Sequence, residues 1–301
     1  MKKTISAILA ALTALMLFVP ALALSEGDRR VAAEEGISEE NLFAALEYFE
    51  AAADTTILTV GRDEVVNLFN GLLPEDKLGN GRSIAVCVTA LGEDEGLAVR
   101  TNGLDSVSAA MYENALRSAG VADVSVIVWG AEPFDGEAAL ALVFAAYTDM
   151  GGVLTANDRK IGAQELTATG DLAATAGEEK ALSVIEEVKK LLEKTRKLDD
   201  SEVIQKIKSL AEERGIDITE DQSDRIFEFC RSFEKLSIED VKERVKGTAE
   251  KVKTFWEKVK AFFRKVRDIV KAIVDFIRSV VDFFSRLFGA CSGSGAVIRA
   301  R

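Results

Sequence analysis

The sequence predicts an α+β protein: an α/β sandwich-like N-terminal domain, then an all-helical region, then one long amphipathic C-terminal helix. Three observations carry this. Alternating β-branched stretches and apolar helical stretches succeed one another between Thr55 and Met150, the pattern of a sheet covered by helices. No proline follows Pro133, so nothing downstream forbids long helices. From Val241 to Phe288 apolar residues recur every seven positions without a break.

The chain of 301 residues divides on this reading into an export signal (1–23), an acidic helical segment (24–53), an α/β domain (54–155), a helical region (156–238), a basic amphipathic helix (239–289) and a flexible Gly/Ser tail (290–301). The export signal rests on Lys2 and Lys3, the apolar run Ile5 to Val19, Pro20 and the small-residue pattern Ala21-Leu22-Ala23, which together give the three parts of a cleavable signal. An uncleaved anchor is the alternative, but that run falls short of the ~20 residues that span a bilayer. The protein is therefore expected outside the cytoplasm, secreted or in the cell envelope.

In the acidic segment Ser38 is an N-cap candidate, and Leu42, Phe43, Leu46 and Phe49 keep helical spacing. Thr55 to Val60 reads as a short strand, Asp63 to Phe69 as a short helix and Gly71 to Gly81 as a loop. Ser83 to Leu91 alternates, GEDEG turns the chain at 92–96, and Leu97 to Thr101 returns, so a hairpin is expected. A helix over Ser106 to Ala119 ends at Gly120, a strand covers Val124 to Trp129, and Gly136 to Met150 is a helix apolar enough to be buried. Four helices follow, over Leu166 to Ala176, Glu179 to Lys197, Ser201 to Arg214 and Glu220 to Leu236, with Thr219 and Gln222 forming a capping box for the last.

Composition excludes more chemistry than it suggests. There is no histidine, which removes Ser-His-Asp and Cys-His catalysis, the HExxH helix and the Cys/His zinc finger. Fifty acidic residues against 38 basic give −12, the wrong balance for nucleic acid. The charge is uneven: Leu24 to Lys180 carries 28 acidic and 10 basic residues, whereas Ala181 to Arg301 carries 22 and 26. Cys87, Cys230 and Cys291 are odd in number and far apart, which is no disulfide framework. The first two sit in apolar surroundings and read as buried thiols.

The stretch VRTNGLDSVSAAMYENALRSAGVADVSVIVWGAEPFDGEAALALVFAAY (99–147) resembles the YpuA-like family of exported Gram-positive proteins, a domain of unknown function. The likeness lies at Thr101-Asn102, Met111-Tyr112, Asn114-Ala115-Leu116, Ala119-Gly120-Val121, Pro133, Gly136 and Ala138-Ala139-Leu140. IKSLAEERGIDITEDQSDRIFEF (207–229) is similar to the family's helical end, so the resemblance spans roughly Thr55 to Leu236. TVGRDEVVNLF is shorter and more charged than the family's glycine-rich opening, and Asp135 and Glu137 replace small polar residues. The resemblance implies an exported α/β plus helical protein and no particular reaction.

Two sets of residues are candidates for function. Glu132, Asp135 and Glu137, between a buried strand and a buried helix, with Asn102, Tyr112 and Asn114, form a candidate cleft. Paired carboxylates are what a glycosidase-type hydrolase uses. The competing reading makes Asp135 a helix cap, Glu137 a partner of the helix's positive end and Asn114 a surface or capping amide. The acidic tip Glu93-Asp94-Glu95 is a solvated turn before it is a Ca²⁺ site, since three consecutive carboxylates cannot all converge. Asp217 to Glu228 imitates an EF-hand loop but has Gln222 where that loop needs glycine.

The second set is the C-terminal stripe. Val245, Val252, Val259, Val266, Ile273, Val280 and Leu287 form one column. Phe255, Phe262, Ile269, Phe276 and Phe283 form another, opened by Val241 and Thr248, with Trp256, Phe263, Val270, Ile277 and Phe284 beside it. Arg244, Lys251, Lys258 and Lys265 border one side and Lys246, Lys253, Lys260 and Arg267 the other, with carboxylates opposite. Such bordering suits a helix lying in a lipid interface, where long basic stems reach the headgroups. A strict seven-residue period also suits a partner helix, a second copy of the chain or the protein's own helices. The six charges in Asp268 to Arg286 argue against a transmembrane span. The expectation is a non-enzymatic envelope or secreted binding protein, with no catalytic set, metal site or cofactor. Its partner is a membrane surface, an anionic polymer or a helix; a carboxylate hydrolase is the alternative.

Overall fold

The computed structural model describes residues 24–52, 54–73, 78, 83–134 and 136–246. The export signal, Asp135, the stripe beyond Lys246 and the tail with Cys291 lie outside the described residues.

Strands β1 (Arg29–Glu34), β2 (Thr56–Val60), β3 (Ile84–Ala90), β4 (Leu97–Leu104) and β5 (Val124–Phe134) make one mixed sheet in the order β2-β1-β3-β5-β4. β1 runs parallel to β2, and β4 parallel to β5, while β3 is antiparallel to both its neighbours. The expected hairpin of β3 and β4 does not form. β3 (IAVCVTA) is buried almost throughout, so both its edges need apolar partners, and β1 and β5 supply them. β4 carries Arg100, Thr101 and Asn102 and is only partly buried, which suits an outer position. β1, in the segment read as one helix, was hidden because Val31-Ala32-Ala33 is too short a run to display a period.

Strand alternation sends Val31, Ala33, Ala85, Cys87 and Trp129 to one face, where helix α1 (Glu39–Tyr48) and Phe49 cover them. Val86, Val88, Val126 and Val128 face the other way, onto Phe69, Tyr112, Leu116, Leu140 and Phe144. Those come from α2 (Arg62–Phe69), α3 (Ala109–Ser118) and α4 (Glu137–Asp149). Helices therefore lie on both sides of the sheet. Ser38 caps α1 by accepting from the Asn41 amide at 3.1 Å. Gly120, at φ +85°, ends α3 in the left-handed conformation expected of it.

The helical region contains α5 (Ala156–Ala176), α6 (Glu178–Thr195), α7 (Asp200–Glu212), α8 (Glu220–Phe233) and α9 (Ile238–Lys246). Capping boxes open three of them: Thr155 with Asp158, Asp199 with Glu202, and Thr219 with Gln222. The last makes Asp217 to Glu228 a helix entry. α5 begins ten residues before the expected Leu166. It is the wall shared by both halves: Ala163 and Leu166 pack toward the sheet core, Ile161, Ala168 and Leu172 toward the helical core. A helix buried on several sides, with polar Asp158, Gln164 and Glu165 among its buried residues, has no apolar stripe to recognise. Cys87 and Cys230 are buried free thiols, and burial pushes Cys230 up to about 12. No helix among the described residues is long and apolar enough to cross a membrane.

Candidate functional site

The predicted cleft residues separate. β5 continues past Trp129 to Phe134, so Glu132 and Pro133 belong to a strand end and not to a turn. A register shift between Asn102 and Leu104 lets β4 follow it. Gly103 sits at the shift because a Cβ there would stand 3.0 Å from the Gly130 carbonyl oxygen. Asn102 and Glu132 are exposed. Tyr112 is fully buried, and its hydroxyl donates to the Gly136 carbonyl at the start of α4. Burial, reinforced by the charge of Glu137, raises the phenol well above its ordinary value, so it stays neutral. Asn114 is buried in α3 and is not a surface amide. The N-cap of α4 is Gly136, at φ +100° and without a side-chain cap. Tyr112, Gly136 and Glu137 thus meet around a helix start, while Glu132 and Asn102 stand apart in solvent.

The charge that the structure does gather lies elsewhere. Lys189 of α6 and Glu165 of α5 pair at 2.6 Å with side chains 1% exposed. Burial raises the Glu165 carboxyl, opposed by the neighbouring Lys189, Ser118 and Arg117. Arg117 also pairs with Glu113 one turn back on α3. Such depth excludes contact with a substrate, and the set acts as a joint between α3, α5 and α6. Beside it, Arg244 of α9 forms an ion pair with Asp158 Oδ1 at 2.7 Å and donates to the Ser118 carbonyl at 3.0 Å. Its guanidinium lies over Gly120, where a Cβ would stand 3.0 Å away. Val241 is 2% exposed in the helical core, with Val245 packed against it. The first turns of the predicted stripe therefore pack on the protein itself, and Arg244 is an anchor, not a border cation. The Thr155-x-x-Asp158 spacing was the legible signal here; nothing in sequence marked Lys189, whose neighbours Ile185 and Val188 are apolar.

Two clefts flank the segment Phe69 to Leu73. One, of about 500 Å³, has Leu68, Leu72, Ala141 and Phe144 as its apolar floor and Arg159 and Lys160 on its rim. The other, of about 380 Å³, lies between that segment, α5 and α8, and is lined by Gln164, Thr167, Asp221, Asp224, Arg225 and Glu228. Arg225 is committed, donating to the Leu72 carbonyl at 2.6 Å and pairing with Asp171 at 3.1 Å. Gln164 Oε1 and Thr167 Oγ1 are buried and accept no hydrogen bond. Among the described residues, none of the predicted site residues lines either cleft. Among the described residues no three acidic or cysteine side chains are grouped to hold a metal ion.

A family model described as "Protein of unknown function (DUF1002)" matches residues 35–252. The chain is 26% identical over 244 residues to "Uncharacterized protein YpuA" of Bacillus subtilis (strain 168), covering 79% of this chain and 84% of that protein. No solved structure matches.

Proposed function

Since the chain belongs to the DUF1002 family of unknown function, we propose from its own residues that it is an exported, non-enzymatic binding protein whose C-terminal segment docks on an anionic membrane surface. One observation carries the reading. Phe255, Trp256, Phe262, Phe263, Phe276, Phe283 and Phe284 recur at helical spacing, bordered by Lys253, Lys260, Lys265 and Arg267. Val241 to Ala290 holds 13 basic and 6 acidic residues, net +7. Near an anionic surface each such cation contributes about 1 kcal/mol, and each buried aromatic about 1.5–3 kcal/mol. Arg244 and Val241 hold α9, the last described helix, against the rest of the described chain.

The test is co-sedimentation of the full mature chain with phosphatidylglycerol-containing and with purely zwitterionic vesicles. Pelleting is expected with the anionic vesicles alone. F262E/F283E should abolish it, and K253E/K260E should weaken it in a salt-dependent way, both with unchanged unfolding midpoints. Equal pelleting by wild type and F262E/F283E, or none by either, overturns the membrane reading. So does a concentration-dependent mass that vesicles leave unchanged, which would assign the stripe to self-association.

A further inference from the structure

We propose that the outer edge of β4 takes up an extended peptide as an added strand, and that a lysine or arginine side chain of that peptide enters the cleft between β4, α3 and α5. This site is separate from the C-terminal stripe and does not depend on it. β4 stands at the end of the sheet order and pairs with β5 on one side. The Gly96 carbonyl accepts from the Val124 amide of β5 at 3.1 Å. Backbone groups along a strand alternate sides, so Ala98, Arg100 and Asn102 turn theirs toward β5, while Val99 and Thr101 turn theirs outward. No strand among the described residues meets those outward groups. Such an edge is a template for another strand unless it is short or blunted by charge or proline. β4 has eight residues and no proline, against five residues in β2 at the opposite edge. Its one cation, Arg100, is held 5.5 Å from the centre of the Tyr48 ring.

A cleft of about 530 Å³ opens beside the same strand, and Thr101 lines it. Val99 and Thr101 lie in register with Val126 and Val128, whose side chains face the helices. Alternate side chains of an added strand fall on that helical side too. There the cleft offers Leu104 and Ala173, apolar and only partly buried, and the exposed carboxylates of Asp105 and Glu178. Neither carboxylate forms an ion pair among the described residues. A lysine or arginine satisfies both features, laying its stem along the apolar wall and its charge among the carboxylates. An acidic side chain is repelled, and a leucine leaves the carboxylates unopposed. A free amine would meet the carboxylates but leave the Val99 and Thr101 backbone groups unpaired. Only a backbone supplies the alternating donors and acceptors of that edge, and in strand addition these give affinity while side-chain pockets give specificity.

Fluorescence anisotropy of the full mature chain tests this with the fluorescein-labelled, C-amidated peptide SVKVTS. Three forms accompany it: one N-methylated at both valines and the lysine, and two with leucine or glutamate in place of the lysine. Saturable one-to-one binding of the lysine peptide is expected, weakened about tenfold or more by N-methylation, which removes backbone donors without touching the protein. T101P should weaken binding to the same degree with an unfolding midpoint close to wild type, because the lost N–H lies outside the β5 ladder and edge strands tolerate proline there. D105N/E178Q should weaken the lysine peptide by about threefold or more and leave the leucine peptide unchanged, the mark of a charge contact. Absence of binding, undiminished binding of the N-methylated peptide, equal affinity in wild type and T101P, or glutamate binding as tightly as lysine each overturns the proposal. So does a concentration-dependent mass that T101P removes, which would assign the edge to a second copy of the chain.

Discussion

On the sheet side of α5 the interior is filled by Val86, Val88, Val126, Val128, Leu116, Leu140 and Phe144. On its other side the interior is just as dry, but Glu165 and Lys189 stand within it, and Asp158 and Arg244 close its edge. An apolar core loses stability in proportion to the atoms removed. A buried ion pair behaves differently: removing one partner strands a charge, while removing both can cost nothing. The two halves are equally buried but should fail in different ways.

The largest expected effect is Lys189→Met, which removes the ion-pair partner of the buried Glu165 carboxylate and should cost about 3–5 kcal/mol in urea unfolding. E165L/K189M should recover most of that loss. Leu140→Ala on the sheet side should cost about 2–5 kcal/mol, and a distant second truncation should add to it with no recovery. Recovery in both pairs or in neither would erase the contrast.

Next comes the α9 anchor, where Arg244→Ala removes charge-assisted bonds and should cost about 2 kcal/mol. Burial pushes the Asp158 carboxyl upward, but the Thr155 hydroxyl and amide and the Arg244 guanidinium outweigh it, leaving the group below its ordinary 3.8. A depressed acid contributes stability that is complete above the unfolded value and disappears as pH falls from about 3.8 through the folded one. Unfolding measured from pH 7 to pH 3 should therefore show an acid limb that Asp158→Asn flattens; an unchanged limb would place the acid sensitivity elsewhere. The smallest effect is Thr219→Ala, about 1 kcal/mol from a lost cap, read as an earlier urea midpoint and local loss of amide protection at the start of α8.

Periodicity made much of the secondary structure legible. Helices α1, α3, α4, α6, α7 and α8 lie close to their expected places because each has an amphipathic face, a run of apolar residues or a cap. The hairpin failed because strand pairing depends on which edges match, and β3, buried on both faces, took β5 in preference to its chain neighbour β4. The start of α5 failed because its polar residues point inward. The candidate cleft was legible only as residue types: Tyr112 and Glu137 meet at Gly136, whereas Asn102 and Glu132 do not join them. Gln164 and Thr167 gave no local signal, and the acidic residues of α8 were legible only as part of the EF-hand-like run Asp217 to Glu228.

The sequence by itself determined the elements with a periodic face, the buried thiols, the exclusion of histidine chemistry and the family resemblance, because these depend on residues near one another in the chain. Tertiary structure alone decided the strand order, the burial of Glu165 with Lys189, the use of Arg244 as an anchor and the burial of the unpaired Gln164 and Thr167 oxygens. Those depend on the partners that folding brings together, and a charge or amide in the chain carries no mark of which partner it will meet or lack.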